Sequence, residues 1–246
     1  MTTVDQKPAA HAPAIVEMSG VRFRWPGRNS FGIAVDRFEL GPRERLLLLG
    51  PSGSGKSTFL SLLAGIVTPQ AGTVRVLGTD LAKLSSAGRD RFRVEHFGII
   101  FQMFNLLPYG SVIDNVVLPL SFSKKRRARV GGDGAVRDEA VRLLGRLGIA
   151  DAMLDGHRAS NLSVGQQQRV AAARALIGRP EIVVADEPTS VLDRDRHAAF
   201  LDLLFQEVEA AGAALVMVTH DRSLAPRFDR VVELADMVAG TKEPAP

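Results

Sequence analysis

Short apolar runs that stop at glycines or acids alternate along this chain with longer stretches of helical spacing. Residues 15–25 and 33–40 alternate apolar and polar side chains, the period of a strand with one covered face. Residues 45–49 are almost wholly apolar and stop at Gly50, as a buried strand does on entering a tight turn. The spacing predicts a helix over 56–67 and strands over 72–77 and 97–101. From there the texture changes, and 112–120, 135–147 and 165–177 all carry helical spacing. Strand character returns at 181–185, 213–219 and 230–234, with a long helix predicted over 194–211. Strands therefore alternate with helices at both ends of the chain, around an all-helical block. This predicts an α/β fold: a mostly parallel sheet flanked by helices, a separate antiparallel layer built from the early strands, and a helical subdomain inserted near 103–178. One domain is expected over 14–240, its core drawn from 14–102 and 179–240, between an unstructured lead (1–13) and tail (241–246).

Composition narrows this picture. Aromatics make up 6% of the 246 residues, so the core must be mainly aliphatic. The apolar run at 213–218 is far shorter than the roughly 20 residues of a membrane span, so no transmembrane helix is expected. The N-terminus lacks a basic start followed by an apolar segment, so no secretory signal is expected either. Cysteine is absent, which excludes a disulfide framework, a thiolate metal site and a thiolate nucleophile. The net charge of +4 suits anionic ligands or surfaces without choosing among them.

The strongest chemical signal is Gly50-Pro51-Ser52-Gly53-Ser54-Gly55-Lys56-Ser57-Thr58, a G-x-x-x-x-G-K-[ST] loop between a buried strand and a helix. Glycines let the backbone curl so that successive N–H groups face phosphate oxygens, and the helix that follows adds its positive end. Lys56 is placed to neutralise the β and γ phosphates, Ser57 to ligate Mg²⁺, and Thr58 to touch the α or β phosphate. A second signal is the run 182–185, which ends in Asp186 and Glu187 before Pro188. At the carboxyl end of a parallel strand, Asp186 can hold the Mg²⁺ hydration shell. Glu187 can orient or deprotonate an attacking water. An acid pair in that place is by itself an ordinary helix cap; the phosphate loop upstream supplies the ligand for it to serve. His220 closes the strand at 213–219 in the same way, where it can donate to the γ phosphate or the water.

Leu162-Ser163-Val164-Gly165-Gln166-Gln-Gln-Arg169 resembles the signature motif of the ABC ATPases. The loop at 50–58, this motif, Asp186-Glu187, the segment ending in Asp193, and His220 follow that family's order over about 14–240. The resemblance implies a P-loop NTPase with a RecA-like core and two copies packed head to tail. Each ATP would lie between one copy's phosphate loop and the other's Ser163 and Gly165, with Asp193 crossing the interface. It further implies that Gln102 senses Mg²⁺ and water and links to a membrane partner. Trp25 would stack under adenine, as suits an indole; the alternative is an ordinary strand aromatic. The motif departs from the family at Val164, where glycine is commonest. Valine is costly there if the backbone needs a positive φ, and harmless if only its N–H matters. The second is expected, and with it an active ATPase.

Residues 101–120 are similar to one branch in particular, the lipoprotein-releasing and macrolide-export type of transporter. That resemblance implies a bacterial protein, peripheral on the cytoplasmic face of the inner membrane, that drives a separate integral permease. The run Lys124-Lys-Arg-Arg-Ala-Arg129 holds five cations in six residues. It reads as a solvated loop between helices, or as a contact for anionic lipid. The lack of interleaved aromatics speaks against nucleic acid. Two other settings for the same motor stay open: a signalling complex such as one controlling cell division, and a soluble ATPase acting on ribosomes or DNA. The latter usually has two cassettes or a long coiled coil, and neither is evident in this sequence.

Overall fold

The structure is a computed structural model and describes residues 13–27, 31–150, 153, 157–188 and 194–237, with 194–196 by backbone alone. The expected tail, residues 1–12 of the expected lead, and Asp193 with its segment lie outside the described residues. Among the described residues nine strands and eight α-helices follow one another: β1 Val16–Arg24, β2 Gly32–Leu40, β3 Arg45–Leu49, α1 Lys56–Leu63, β4 Ala71–Val76, β5 Thr79–Asp80, α2 Ser86–His96, β6 Phe97–Ile100, α3 Val112–Val117, α4 Lys124–Val130, α5 Val136–Arg146, α6 Val164–Leu176, β7 Ile182–Asp186, α7 Arg194–Ala211, β8 Ala214–Thr219, β9 Arg230–Glu233 and α8 Leu234–Met237. They form an antiparallel sheet in the order β2-β1-β4-β5 and a parallel sheet in the order β6-β7-β8-β3-β9.

Strands β3, β6, β7 and β8 are covered on both faces, which explains their nearly unbroken apolar runs, while the edge strand β9 is partly exposed. Side chains alternate across a strand, so each run divides between two cores. Leu46 and Leu48 of β3, with Ile182 and Val184 of β7, pack toward α1 and the antiparallel sheet. Leu47 and Leu49, with Val183 and Ala185, pack toward α3, α5, α6 and α7. Among the described residues no helix is long and apolar enough to cross a membrane.

Three details depart from the sequence pattern. Helix α1 stops at Leu63 instead of running to 67, because Gly65 takes a left-handed φ of 65° and ends it. Helix α3 gives way at Leu118 to a 3₁₀ turn through Pro119, which cannot donate to the helix. Helix α2 carries no hydrophobic periodicity, since none of its residues is fully buried, and its start is marked only by the Ser85 cap on Gly88 N–H.

The basic run is a correction of a different kind. It is not a solvated loop but helix α4, capped by Ser123 and ended by Gly131. Arg126 is 1% exposed. Lys125 pairs with Glu95, Arg129 with Glu181 at 2.6 Å, and Arg127 with Asp133 at 3.0 Å. Four of the five cations are thus engaged within the protein. Charge patterning treats a cationic run as solvent-facing, and only the packed fold supplies the carbonyls and acids that draw this one inward.

Candidate active site

Four strands lying side by side deliver polar groups to one sheet edge. In the order β6-β7-β8-β3, their carboxyl ends lead to Gln102, to Asp186 and Glu187, to His220, and to the phosphate loop. A hydrogen bond from Gly50 N–H to the Thr219 carbonyl (3.3 Å) ties the loop to β8. Gly53 and Gly55 hold φ of 77° and 100°, and α1 begins at Lys56. Gly55 is required twice over. Its φ disfavours any other residue, and a Cβ there would meet the Phe31 ring at 2.6 Å.

The loop edges a cavity of about 380 Å³, lined by Ser52, Gly53, Gly55, Lys56, Ser57 and Thr58 on one side. Gln102, Asp186, Glu187, Trp25 and Phe31 complete the wall. Lys56 is 6% exposed, and its ammonium is matched to three oxygens. It donates to the Gly50 carbonyl at 2.7 Å and the Pro51 carbonyl at 3.0 Å, and pairs with Glu187 Oε1 at 3.2 Å. Glu187 Oε2 takes the other contact, 2.8 Å from His220 Nδ1. With the carboxylate ionised, that contact needs its proton on Nδ1. Glu187 also holds a positive φ of 45° while its N–H continues the ladder to the Val218 carbonyl (2.9 Å). A left-handed glutamate at a strand end is strained by about 1–2 kcal/mol, and such strain gathers at working sites.

Ser57 Oγ donates to Asp186 Oδ2 at 2.8 Å. Burial pushes the Asp186 carboxyl above its ordinary pKa and the neighbouring Glu187 charge adds to this; the Ser57 hydroxyl and Lys56 pull it back only in part. The sign is therefore fixed. With the folded-state value above the unfolded one, the penalty is absent below the ordinary carboxylate range and fully present above the raised value. Asp186→Asn should raise the melting temperature at pH 7 by about 2–4 °C. That gain should shrink as the pH is lowered, which thermal melts across pH will check. Ser57, Asp186 and Gln102 together offer hard oxygen donors of the kind Mg²⁺ prefers. Among the described residues no group of three or more His, Cys, Asp or Glu could hold a metal, so an ion here would take most of its ligands from phosphate and water. Ser54 Oγ is buried without a hydrogen-bond partner, which marks the loop as holding an unsatisfied polar atom.

Trp25 borders the cavity, donating from Nε1 to Thr58 Oγ1 at 3.1 Å. Phe31 also lines the cavity, and the sequence pattern does not mark it as a site residue. It follows a polar stretch with no periodicity, and its one usable signal is its place across the hairpin from Trp25, whose N–H bonds the Phe31 carbonyl at 3.1 Å. The signature residues do not join this cluster. Ser163 caps α6, accepting from Gln166 N–H while Gln166 Oε1 accepts from Ser163 N–H at 2.8 Å. Leu162 is buried. Val164 is the first residue of α6, has no positive φ and is half exposed, so the branched side chain strains nothing. Gly165, in the first turn of the same helix, needs no left-handed φ either.

A glycine-rich loop between a buried strand and a helix, facing an acid pair on a neighbouring strand end, defines a phosphate-loop nucleotide-binding α/β protein. The chain belongs to the ABC transporter family, whose model matches residues 35–190, and it is an ATPase of that family. It is 42% identical over 220 residues to the lipoprotein-releasing system ATP-binding protein LolD of Novosphingobium aromaticivorans, a match covering 86% of this chain and 94% of that protein. It is 38% identical over 233 residues to the macrolide export ATP-binding/permease protein MacB of Rhodopseudomonas palustris, covering 92% of this chain. It spans only about a third (34%) of MacB. Among solved structures, the ATP-binding cassette MJ0796, a dimer bound to ADP and Pi in a post-hydrolysis state, matches with a TM-score of 0.76 at 32% identity. That match covers 89% of this chain and 93% of that one.

Proposed function

We propose that this chain is the ATP-driven motor of a transport complex of the lipoprotein-releasing or macrolide-export kind, working on the cytoplasmic face of a bacterial inner membrane with a separate permease. The observation that carries the reading is the convergence of Lys56, Asp186, Glu187 and Gln102 on one phosphate loop. Two copies would close head to tail on two ATP molecules, with Ser163 and Gly165 of one facing the γ phosphate held by the other. Asp193 is assigned to the same interface. The dimeric state of MJ0796 supports this arrangement.

In each site, loop amides from Gly50 to Thr58 and the start of α1 would cradle the phosphates. Lys56 would exchange Glu187 Oε1 for phosphate oxygens. Glu187, released on that side and oriented by His220 on the other, would accept a proton from water as the water oxygen bonds to the γ phosphorus and ADP leaves. Ser57, Gln102 and, through water, Asp186 would hold Mg²⁺, which when bound spreads the charge of the phosphates. Trp25 would stack on adenine, with Phe31 beside it.

A cavity of about 230 Å³ beside Gln102, lined by Phe97, Phe101, Leu118, Pro119 and Phe122, suits a cytoplasmic segment of the permease. Phe122 and Met103 are exposed at 67% and 78%, which fits a surface meant to be covered. Lipid contact by α4 would rest on Lys124 and Lys125, with Lys125 already paired to Glu95. It would contribute about 1–2 kcal/mol, against about 5 for five unengaged cations. With a non-hydrolysable ATP analogue and Mg²⁺, the purified chain should sediment as a dimer. From detergent extracts it should retain an integral membrane protein. Recovery of ribosomes or DNA in place of that protein would overturn the transport reading.

A further inference from the structure

Helix α6 begins at the signature residues and reaches this copy's own catalytic segments through buried side chains. Arg174, about three turns along from Ser163, donates from Nη1 to the Asn105 carbonyl at 2.7 Å and from Nη2 to the Phe104 carbonyl. Those two carbonyls belong to consecutive non-glycine residues in the left-handed region, with φ of 58° and 50°. Each costs about 1 kcal/mol or more, so the turn needs an external hold. It is the turn that carries Gln102: Phe104 N–H bonds the Phe101 carbonyl at 2.9 Å, and Asn105 N–H bonds the Met103 carbonyl at 2.6 Å. The Phe104 ring is itself buried, 5% exposed, which leaves the turn little room to shift alone. Six residues earlier on α6, the fully buried Gln168 donates from Nε2 to the Pro188 carbonyl at 2.5 Å, one residue beyond Glu187. One helix thus touches both backbone segments that present Gln102 and Glu187.

We infer that Arg174 is a positioning residue. It binds the Gln102 turn to α6, so that engagement of the helix's N-terminal end by the nucleotide of a second copy is passed to Gln102 in this copy's own site. The inference rests on the head-to-tail dimer and on the role given to Gln102. The bidentate guanidinium is what the task requires, because a lysine ammonium lacks the planar fork that meets two adjacent carbonyls.

Three variants test it. Arg174→Lys weakens the clamp from the helix side. Asn105→Val disturbs the turn from its exposed side, since a β-branched residue tolerates a positive φ poorly, and leaves α6 untouched. Gln102→Ala removes the residue being positioned. Trp25 is the single tryptophan, so its fluorescence reads nucleotide binding directly. Arg174→Lys and Asn105→Val should bind ADP with midpoints within about twofold of the unsubstituted protein, and lose about tenfold in kcat with KM little changed. The Hill coefficient of ATP hydrolysis should fall toward one in both. A slowed Gln102→Ala beside two unaffected clamp variants would overturn the inference while leaving the role of Gln102 standing. So would hyperbolic kinetics in the unsubstituted protein, or ADP affinity falling in step with kcat. Normal turnover by Gln102→Ala would overturn the role of Gln102 and the inference together. Should Arg174→Lys not fold, Asn105→Val decides between the same outcomes.

Discussion

Glu187→Gln should reduce ATP turnover by about 10²–10⁴-fold while nucleotide still binds. Glutamine keeps the side chain's size and hydrogen-bonding reach but cannot take up a proton at neutral pH. It also withdraws the negative charge that lies 3.2 Å from Lys56 Nζ. Both partners are nearly buried, and breaking such a pair from one side is costly, because the remaining charge stays desolvated. The variant should therefore melt lower than the unsubstituted protein when alone, and gain more on adding ATP, because incoming phosphate oxygens replace the lost carboxylate at Lys56. Unable to hydrolyse, it should stay dimeric with ATP and Mg²⁺ on size exclusion, and revert to monomer with ADP. Three readings check this: phosphate release, melting with and without ATP, and hydrodynamic size. Normal turnover by the variant would remove Glu187 from the role of general base.

Arg126→Met should lower the melting temperature by about 10 °C with little direct effect on the phosphate loop. Arg126 donates from Nε to the Ile177 carbonyl at 2.9 Å, from Nη2 to the Ala175 carbonyl at 2.8 Å, and from Nη1 to the Phe97 and Val94 carbonyls at 3.1 and 3.3 Å. Those acceptors cluster at the C-terminal ends of α6 and α2, where unsatisfied carbonyls concentrate partial negative charge. None of these acceptors is a carboxylate. Burial, helped by nearby Arg129, lowers the guanidinium pKa to about 10, so the group is still charged at neutral pH. Methionine fills comparable space but leaves the carbonyls without donors, at a cost of about 3–5 kcal/mol. The neighbouring Gly178 shows how tightly the site is built. Its φ is 70°, and a Cβ there would lie 2.7 Å from Arg126 Cβ. A melting temperature within 2 °C of the unsubstituted protein would show that these bonds contribute nothing net.

Much of the architecture is legible in the sequence. The strands leading to Gly50, Asp186 and His220 read correctly because strands buried on both faces leave unbroken apolar runs, and their ends are marked by the chemistry that follows. Helices α5 and α7 read correctly because one stripe of each faces a core, and α6 because its alanine-rich second half, buried on every side from Val170 to Leu176, favours a helix. Helix α2 left no such trace, since its residues are largely polar and none is fully buried. At Val164 the sequence posed two alternatives, and the helical φ at the start of α6 decided between them. Nothing in the local sequence of Phe31 separates it from a loop aromatic. It belongs to the site only because the β1–β2 hairpin folds it over Gly55.

Taken alone, the sequence determined the phosphate loop, the acid pair, the signature corner and the alternation of strands and helices. Each is written in contiguous residues, where spacing constrains backbone and chemistry directly. Tertiary structure alone decided that Arg126 turns inward, that Arg174 holds the Gln102 turn, and that Glu187 stands between Lys56 and His220. Those contacts join residues 29 to 131 positions apart. Their partners are mostly backbone carbonyls, which every residue carries, so no side-chain pattern announces them until packing brings the chain together.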